Sequence, residues 1–197
     1  MARRADHTHD EIRDMAVAAA RRLIEKDGLD NLKIRGIARE IGYAPGTLYN
    51  VFDGLDELMM RVNAQTIDEL VAELQAAETG DGPASLTELL VVYGGFAQRN
   101  ANRWKAVFDY SLADPEAAPD WYVGKINEGL QVVERSVAAL SPAGSTEEPA
   151  DIARILWAGL HGIFSLGAEG NLRLVSDSGP DHLARTFVTM IERAARS

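Results

Sequence analysis

The chain has 197 residues, 46% of them hydrophobic and 25% charged, which is an ordinary globular composition. It contains no cysteine, which excludes a disulfide framework and any zinc site built on thiolates. The net charge is −10, but residues 1–52 carry nine Lys/Arg against eight Asp/Glu, so the first quarter is +1 and the remainder −11, as for a nucleic-acid-facing head on an acidic body.

The start of the chain is polar and no apolar run reaches membrane-spanning length, so a cytoplasmic protein with no membrane partner is expected. Thr8 and Glu11 have the spacing of a capping box, and Ile12, Met15, Ala16, Ala19, Leu23 and Ile24 recur at threes and fours. This predicts a first helix over 9–27 that stops at Gly28. A second, short helix is expected over 34–41, with Ile34, Ile37, Ala38 and Ile41 as its apolar stripe and Arg35 and Arg39 on another face. Gly42 ends it. A third helix starts at Pro45, a good first helical residue, behind Ala44, a poor cap. Leu48 faces the core, and Val51 or Phe52 closes the unit. Thr47, Tyr49 and Asn50 then point outward, where hydroxyls can reach phosphates and an amide can read a base edge. For Tyr49 alone, partial burial as a packing residue is the other reading. Two short helices around a glycine turn are the outline of a helix-turn-helix.

The stretch 32–58 resembles the DNA-binding domain of the tetracycline-repressor (TetR) family. The residues that carry the resemblance are Ile37-Ala38, Gly42, Gly46-Thr47-Leu48-Tyr49, Phe52 and Leu58. It implies a DNA surface formed by Lys33, Arg35, Tyr43, Ala44, Pro45, Gly46, Thr47, Tyr49 and Asn50. Three positions depart from the family pattern: Lys33 and Ala44 stand where Thr or Ser usually caps a helix, and Leu55 stands where a phosphate-binding Lys is frequent.

Asp53 can cap a fourth helix, about 55–77, rich in Leu, Val and Met at helical spacing. The expected organisation is a helix-turn-helix domain at 1–53 and an effector-binding and dimerisation domain at 54–197. After a loop at 78–85, Ser85 and Glu88 cap a helix over 86–100. Helices over 103–112 and 120–140 follow, the latter with Trp121, Ile126, Leu130, Val133 and Val137 as its apolar set. A Pro/Gly/Ser-rich loop spans 141–149. The segment 151–169 is apolar nearly all round, which predicts burial on several sides; its Gly159, Gly162 and Gly167 leave room for another backbone or a ligand. A last helix is expected over 181–195. No stretch alternates at period two, so the fold expected is all-α with about nine helices.

The resemblance implies a homodimer through the last two helices, and Trp157-Ala-Gly-Leu-His161-Gly162 resembles the Trp-His-Gly stretch of one TetR subgroup. It also implies an effector cavity in the body, for which Phe96, Trp104, Phe108, Trp121, Trp157 and His161 are the candidate lining. Each is also an ordinary core candidate. No anchor charge stands out, so the effector class is open. No nucleophile–base pair, cofactor motif or metal motif is evident; His7 and His9 read as a solvated terminus, with weak metal binding as the alternative. The sequence therefore predicts a dimeric transcriptional repressor, not an enzyme, that leaves a palindromic double-stranded operator when a small molecule binds. The alternatives are a dimeric regulator without a small-molecule ligand, and a helical binding protein or enzyme that keeps the head as a scaffold.

Overall fold

A computed structural model describes residues 7–78, 82–142 and 148–196. Arg3, Arg4 and Asp6, and parts of the loops expected at 78–85 and 141–149, lie outside the described residues. Among these residues there are nine α-helices, three short 3-10 turns and no strand. No described helix is long and apolar enough to cross a membrane. Two compact units form, one from residues up to 67 together with 100–123, the other from 68–99 together with 124 onward.

The first unit contains α1 (His9–Asp27), α2 (Ile34–Glu40), α3 (Pro45–Tyr49), the first turns of α4 (Leu55–Ala76) and α6 (Ala101–Asp109). The capping box at α1 is complete: Glu11 N–H donates to Thr8 Oγ1 at 3.2 Å and Thr8 N–H donates to Glu11 Oε2 at 2.6 Å. Gly28, at φ 78°, takes the backbone conformation that ends α1. Ile12, Ala16, Ala20 and Ile24 of α1 pack with Ile37, Leu48, Phe52, Leu58 and Met59 in one buried core. Both Val51 and Phe52 are in it. Gly54, not the expected Asp53, directly precedes α4; the Asp53 backbone N–H donates at 2.8 Å to Oε2 of Glu57, in the first turn of the helix.

The unit extends well past residue 53, because α6 is tied to its helices. Asn102 Nδ2 donates to the Glu25 carbonyl at 2.9 Å, Arg103 pairs with the Glu25 carboxylate at 3.0 Å, and buried Asn63 donates to the Ala106 carbonyl at 3.1 Å. The Tyr110 hydroxyl and the Ala113 N–H both donate to the Asp56 carboxylate. These bonds explain why α6 ends at Asp109 rather than near 112: Tyr110 turns to an extended conformation in which it meets Asp56.

The second unit holds the rest of α4, α5 (Leu86–Arg99), most of α7 (Asp120–Ala138), α8 (Pro149–Ala168) and α9 (Pro180–Ala195). The Ser85/Glu88 box at α5 is formed. Helix α9 packs against both α8 and α5. Two glycines seat aromatic rings: a Cβ on Gly159 would stand 2.3 Å from Phe187, and one on Gly94 would stand 2.8 Å from Phe164. Gly162 has open space.

Two expectations about faces are corrected. On α7 the residues that turn inward are Tyr122, Val132, Ser136 and Val137, while Trp121 and Ile126 are 41% and 38% exposed. The apolar set chosen from sequence ran one position out of phase at its start. Helix α8 begins at Pro149, two residues early, and is not buried on several sides within the chain. Only the stripe Ala153, Leu156, Leu160 and Phe164 is covered, while Ile155 and Leu166 stand 57% and 43% exposed.

Candidate nucleic-acid interface and effector pocket

The helix-turn-helix is built by two anchors and one turn. Ile37 and Ala38 of α2 are fully buried and Leu48 of α3 is 1% exposed, so each short helix is held by its apolar side against α1. Gly42 adopts φ 78°, which reverses the chain after α2 and lets the Tyr43 N–H donate to the Ala38 carbonyl at 2.8 Å. Ala44 is extended and gives α3 no side-chain cap; Pro45 begins the helix. A five-residue helix with no cap is not stable alone. It exists because Leu48, Val51 and Phe52 fasten it to the core.

The nine residues read from sequence as a DNA surface differ in exposure. Tyr49 is 63% exposed. Lys33, Arg35, Ala44, Gly46 and Asn50 are exposed, and Tyr43, Pro45 and Thr47 are half-buried. A Cβ on Gly46 would meet nothing within 4 Å, so the chain itself places no demand for glycine there. Two cations flank this surface without an acidic partner among the described residues, Lys33 just before α2 and Arg35 within it. Arg22 pairs with Glu40 at 2.9 Å, and Arg13 donates to the Val51 carbonyl at 3.1 Å, which fixes the far end of α3 to α1.

One contact was not legible in the sequence. His7 Nδ1 lies 2.7 Å from the Tyr43 hydroxyl, with the rings edge-on at 6.1 Å. The 36-residue separation left no periodic signal, and the residue read as part of a solvated terminus. Among the described residues, no group of three or more His, Cys, Asp or Glu is placed to hold a metal.

The six candidate pocket residues divide between the two units. Trp104, Phe108 and Trp121 belong to the first, and Phe96, Trp157 and His161 to the second. Trp104 meets Phe108 edge-on at 5.2 Å. Trp121 packs on Tyr122 and lies under the Arg61 guanidinium, 5.5 Å from the ring centre, beside a hollow of about 180 Å³ shared with Arg13, Asp14 and Gln65. Burial, opposed in part by Asn63, pushes the Tyr122 phenol above its ordinary value. In the second unit Phe96 is 1% exposed, and Trp157 stacks on His161 with centroids 6.0 Å apart. His161 Nε2 is 3.3 Å from the Ser165 hydroxyl. A larger hollow, about 410 Å³, lies where α8 passes to α9, lined by Gly167, Leu172, Arg173, Ser176, Asp177 and Pro180, none of them in the predicted set.

Known proteins place this geometry in a family. Residues 16–62 match the bacterial regulatory proteins of the tetR family, and residues 86–191 match the tetracyclin repressor-like C-terminal domain. An uncharacterised HTH-type transcriptional regulator from Mycobacterium tuberculosis is 27% identical over 162 residues, covering 80% of this chain and 71% of that protein. Among solved structures, a protein of unknown function from Rhodococcus sp. RHA1 superposes with a TM-score of 0.72 at 22% identity over the whole of both chains. SmeT, the repressor of the Stenotrophomonas maltophilia multidrug efflux pump SmeDEF, superposes with a TM-score of 0.59 at 18% identity, covering 96% of this chain and 90% of that one. A regulator from Saccharomonospora viridis, solved in complex with choline, gives 0.62 at 19% identity, with 93% of this chain and 96% of that one covered. These structural likenesses speak for the fold. The chain belongs to the TetR family of helix-turn-helix transcriptional regulators.

Proposed function

We propose that the protein is a homodimeric repressor that binds a palindromic double-stranded operator and leaves it when a small molecule binds. The observation that carries the reading is the solvent-facing surface of the turn and α3, where an exposed Tyr49 stands beside Thr47 and Asn50 on a helix anchored from behind. Tyr49, Thr47, Arg35 and Lys33 supply phosphate donors, and Asn50 reaches base edges in the major groove. Tyr43, Ala44, Pro45 and Gly46 bring the backbone of the turn alongside. Residues 1–53 act as the DNA-binding domain, and 54–197 as the effector-binding and dimerisation domain.

Dimerisation uses α8 and α9. Ile155, Leu166 and Met190 are 57%, 43% and 62% exposed in a single chain, an apolar display that a second copy would cover. Trp157 and His161 support the reading that the body is of the Trp-His-Gly subgroup; the proposed effector contacts are Phe96, Trp157 and His161 in the second unit and Trp104, Phe108 and Trp121 in the first. The effector is released from duty as a mere stabiliser only if it prefers the conformation that fits DNA poorly. A pump repressor and a choline-bound regulator among the structural relatives support a ligand-released repressor. The protein would work in the cytoplasm.

The test is selection from a random duplex pool by the full-length protein. An inverted repeat is the expected enrichment; a pool that stays random contradicts the proposal.

A further inference from the structure

The segment before α1 carries a contact that the helix-turn-helix itself does not require. We propose that His7 is a phosphate-contacting residue whose ring is oriented for that task by Tyr43, an inference that rests on the DNA-binding reading above.

The chemistry starts from the 2.7 Å bond. In the proposed arrangement the Tyr43 hydroxyl is the donor and His7 Nδ1 the acceptor, so the ring proton resides on Nε2. Nε2 lies across the ring from Nδ1, so its N–H points away from Tyr43. His7 is exposed to solvent. Both members are held from behind. The Tyr43 backbone is fixed by its bond to the Ala38 carbonyl and by the positive φ of Gly42. His7 precedes Thr8, which is pinned by the capping box. The Glu11 carboxylate, the nearest acid in that box, is spent on the Thr8 N–H and hydroxyl at 2.6 and 3.1 Å. His7 therefore presents a pre-oriented donor beside a turn whose next residues, Ala44 to Gly46, begin the recognition helix.

This also supplies what two departures from the family pattern remove. Ala44 has no hydroxyl and Leu55 no ammonium, so neither side chain can donate to a phosphate. His7, bonded to Tyr43 next to Ala44, would provide a donor beside that turn.

The experiment uses full-length protein and the duplex it enriches from a random pool. Single phosphates in each half-site are replaced by neutral methylphosphonate, and affinity is measured for the parent, His7→Ala, His7→Gln and Tyr43→Phe. His7→Ala should bind the unmodified duplex about tenfold more weakly, the loss typical of one hydrogen bond to a charged group. One methylphosphonate position should weaken the parent by a similar factor and leave His7→Ala unaffected. His7→Gln, which keeps an amide donor, should recover part of the loss. Tyr43→Phe should weaken binding at that same phosphate, with no change in thermal midpoint for the His7 variants. Equal affinity of parent and His7→Ala, or methylphosphonate effects that are identical in both, would overturn the assignment while the regulator reading stands. A parent protein that enriches no sequence would overturn both.

Discussion

Gly46 is the residue at which the two roles of the recognition helix separate. Its own chain leaves open space around a would-be Cβ, and it sits early in α3 with an ordinary backbone conformation. Alanine is the better helix former by about 0.5–1 kcal/mol, so Gly46→Ala should raise the thermal midpoint by about 2 °C. If the DNA backbone approaches this turn closely, the same change should weaken operator binding; unchanged binding would remove Gly46 from the interface. Tyr49 and Asn50 divide differently. Tyr49→Phe should lower affinity for all duplexes about equally, whereas Asn50→Ala should relax preference at one base position in each half-site. Competition binding against single-base variants measures both, and a shared loss of preference would contradict the split. The helix-turn-helix was legible in the sequence because Gly-x-x-x-Gly-Thr-Leu-Tyr-x-x-Phe is a local pattern, with every member within eleven positions. His7 was not legible for the opposite reason, since its partner is 36 residues away and the bond depends on how α1 enters the fold.

At the scale of elements, both capping boxes form as their spacing implies, whereas the inward face of α7 does not follow from its own sequence. Thr8/Glu11 and Ser85/Glu88 form the bonds their spacing implies, because a capping box is a four-residue matter. The inward face of α7 depends instead on which helices it meets, so Trp121 and Ile126, apolar at helical spacing, are nevertheless exposed. The capping carboxylates make acid stability testable. Thr8 and Ser85 hydrogen bonds hold Glu11 and Glu88 below the ordinary value of 4.5. Burial pushes Glu57 up, but the Asp53 N–H and the Arg61 guanidinium outweigh it, so Glu57 also lies below 4.5. Folded values lower than unfolded ones mean that these groups stabilise the protein above about pH 4.5, and that the contribution is lost as pH falls through the lowered values. Chemical denaturation across pH 3–7 should show that acid limb, and Glu57→Gln should make it shallower. At the other end, burial and the Asp56 carboxylate push the Tyr110 phenol well above its ordinary range. Tyr110→Phe should cost about 1 kcal/mol, and Asp56→Ala more, because it leaves both the Tyr110 hydroxyl and the Ala113 N–H without their acceptor. Similar costs for the two would argue that Asp56 contributes no more than one bond.

For the molecule as a whole, the family, the helical fold and the acidic body follow from sequence, while the division of residues into units does not. The head recruits residues 100–123, which the chain order places far from it, through Asn102, Arg103 and Tyr110. The glycines of α8 show the same limit: Gly159 seats Phe187, a partner that no local pattern could name. Gly159→Ala should destabilise by about 1–3 kcal/mol through overpacking, whereas Gly162→Ala should be tolerated in the isolated chain. The apolar display of α8 and α9 sets a second whole-molecule expectation. Ile155→Glu with Met190→Glu should yield monomers by light scattering with helicity retained, and a persistent dimer would move the interface elsewhere. The central claim, that the turn and α3 bind DNA, is tested most directly by titrating the enriched duplex with the parent protein and Tyr49→Ala across 50–200 mM salt. Binding by the parent should weaken steeply as salt rises, by roughly 0.9 in log K per log salt for each phosphate neutralised, and Tyr49→Ala should bind at least tenfold more weakly at every salt concentration. Equal affinities for the two proteins, or binding by the parent that ignores salt, would contradict it.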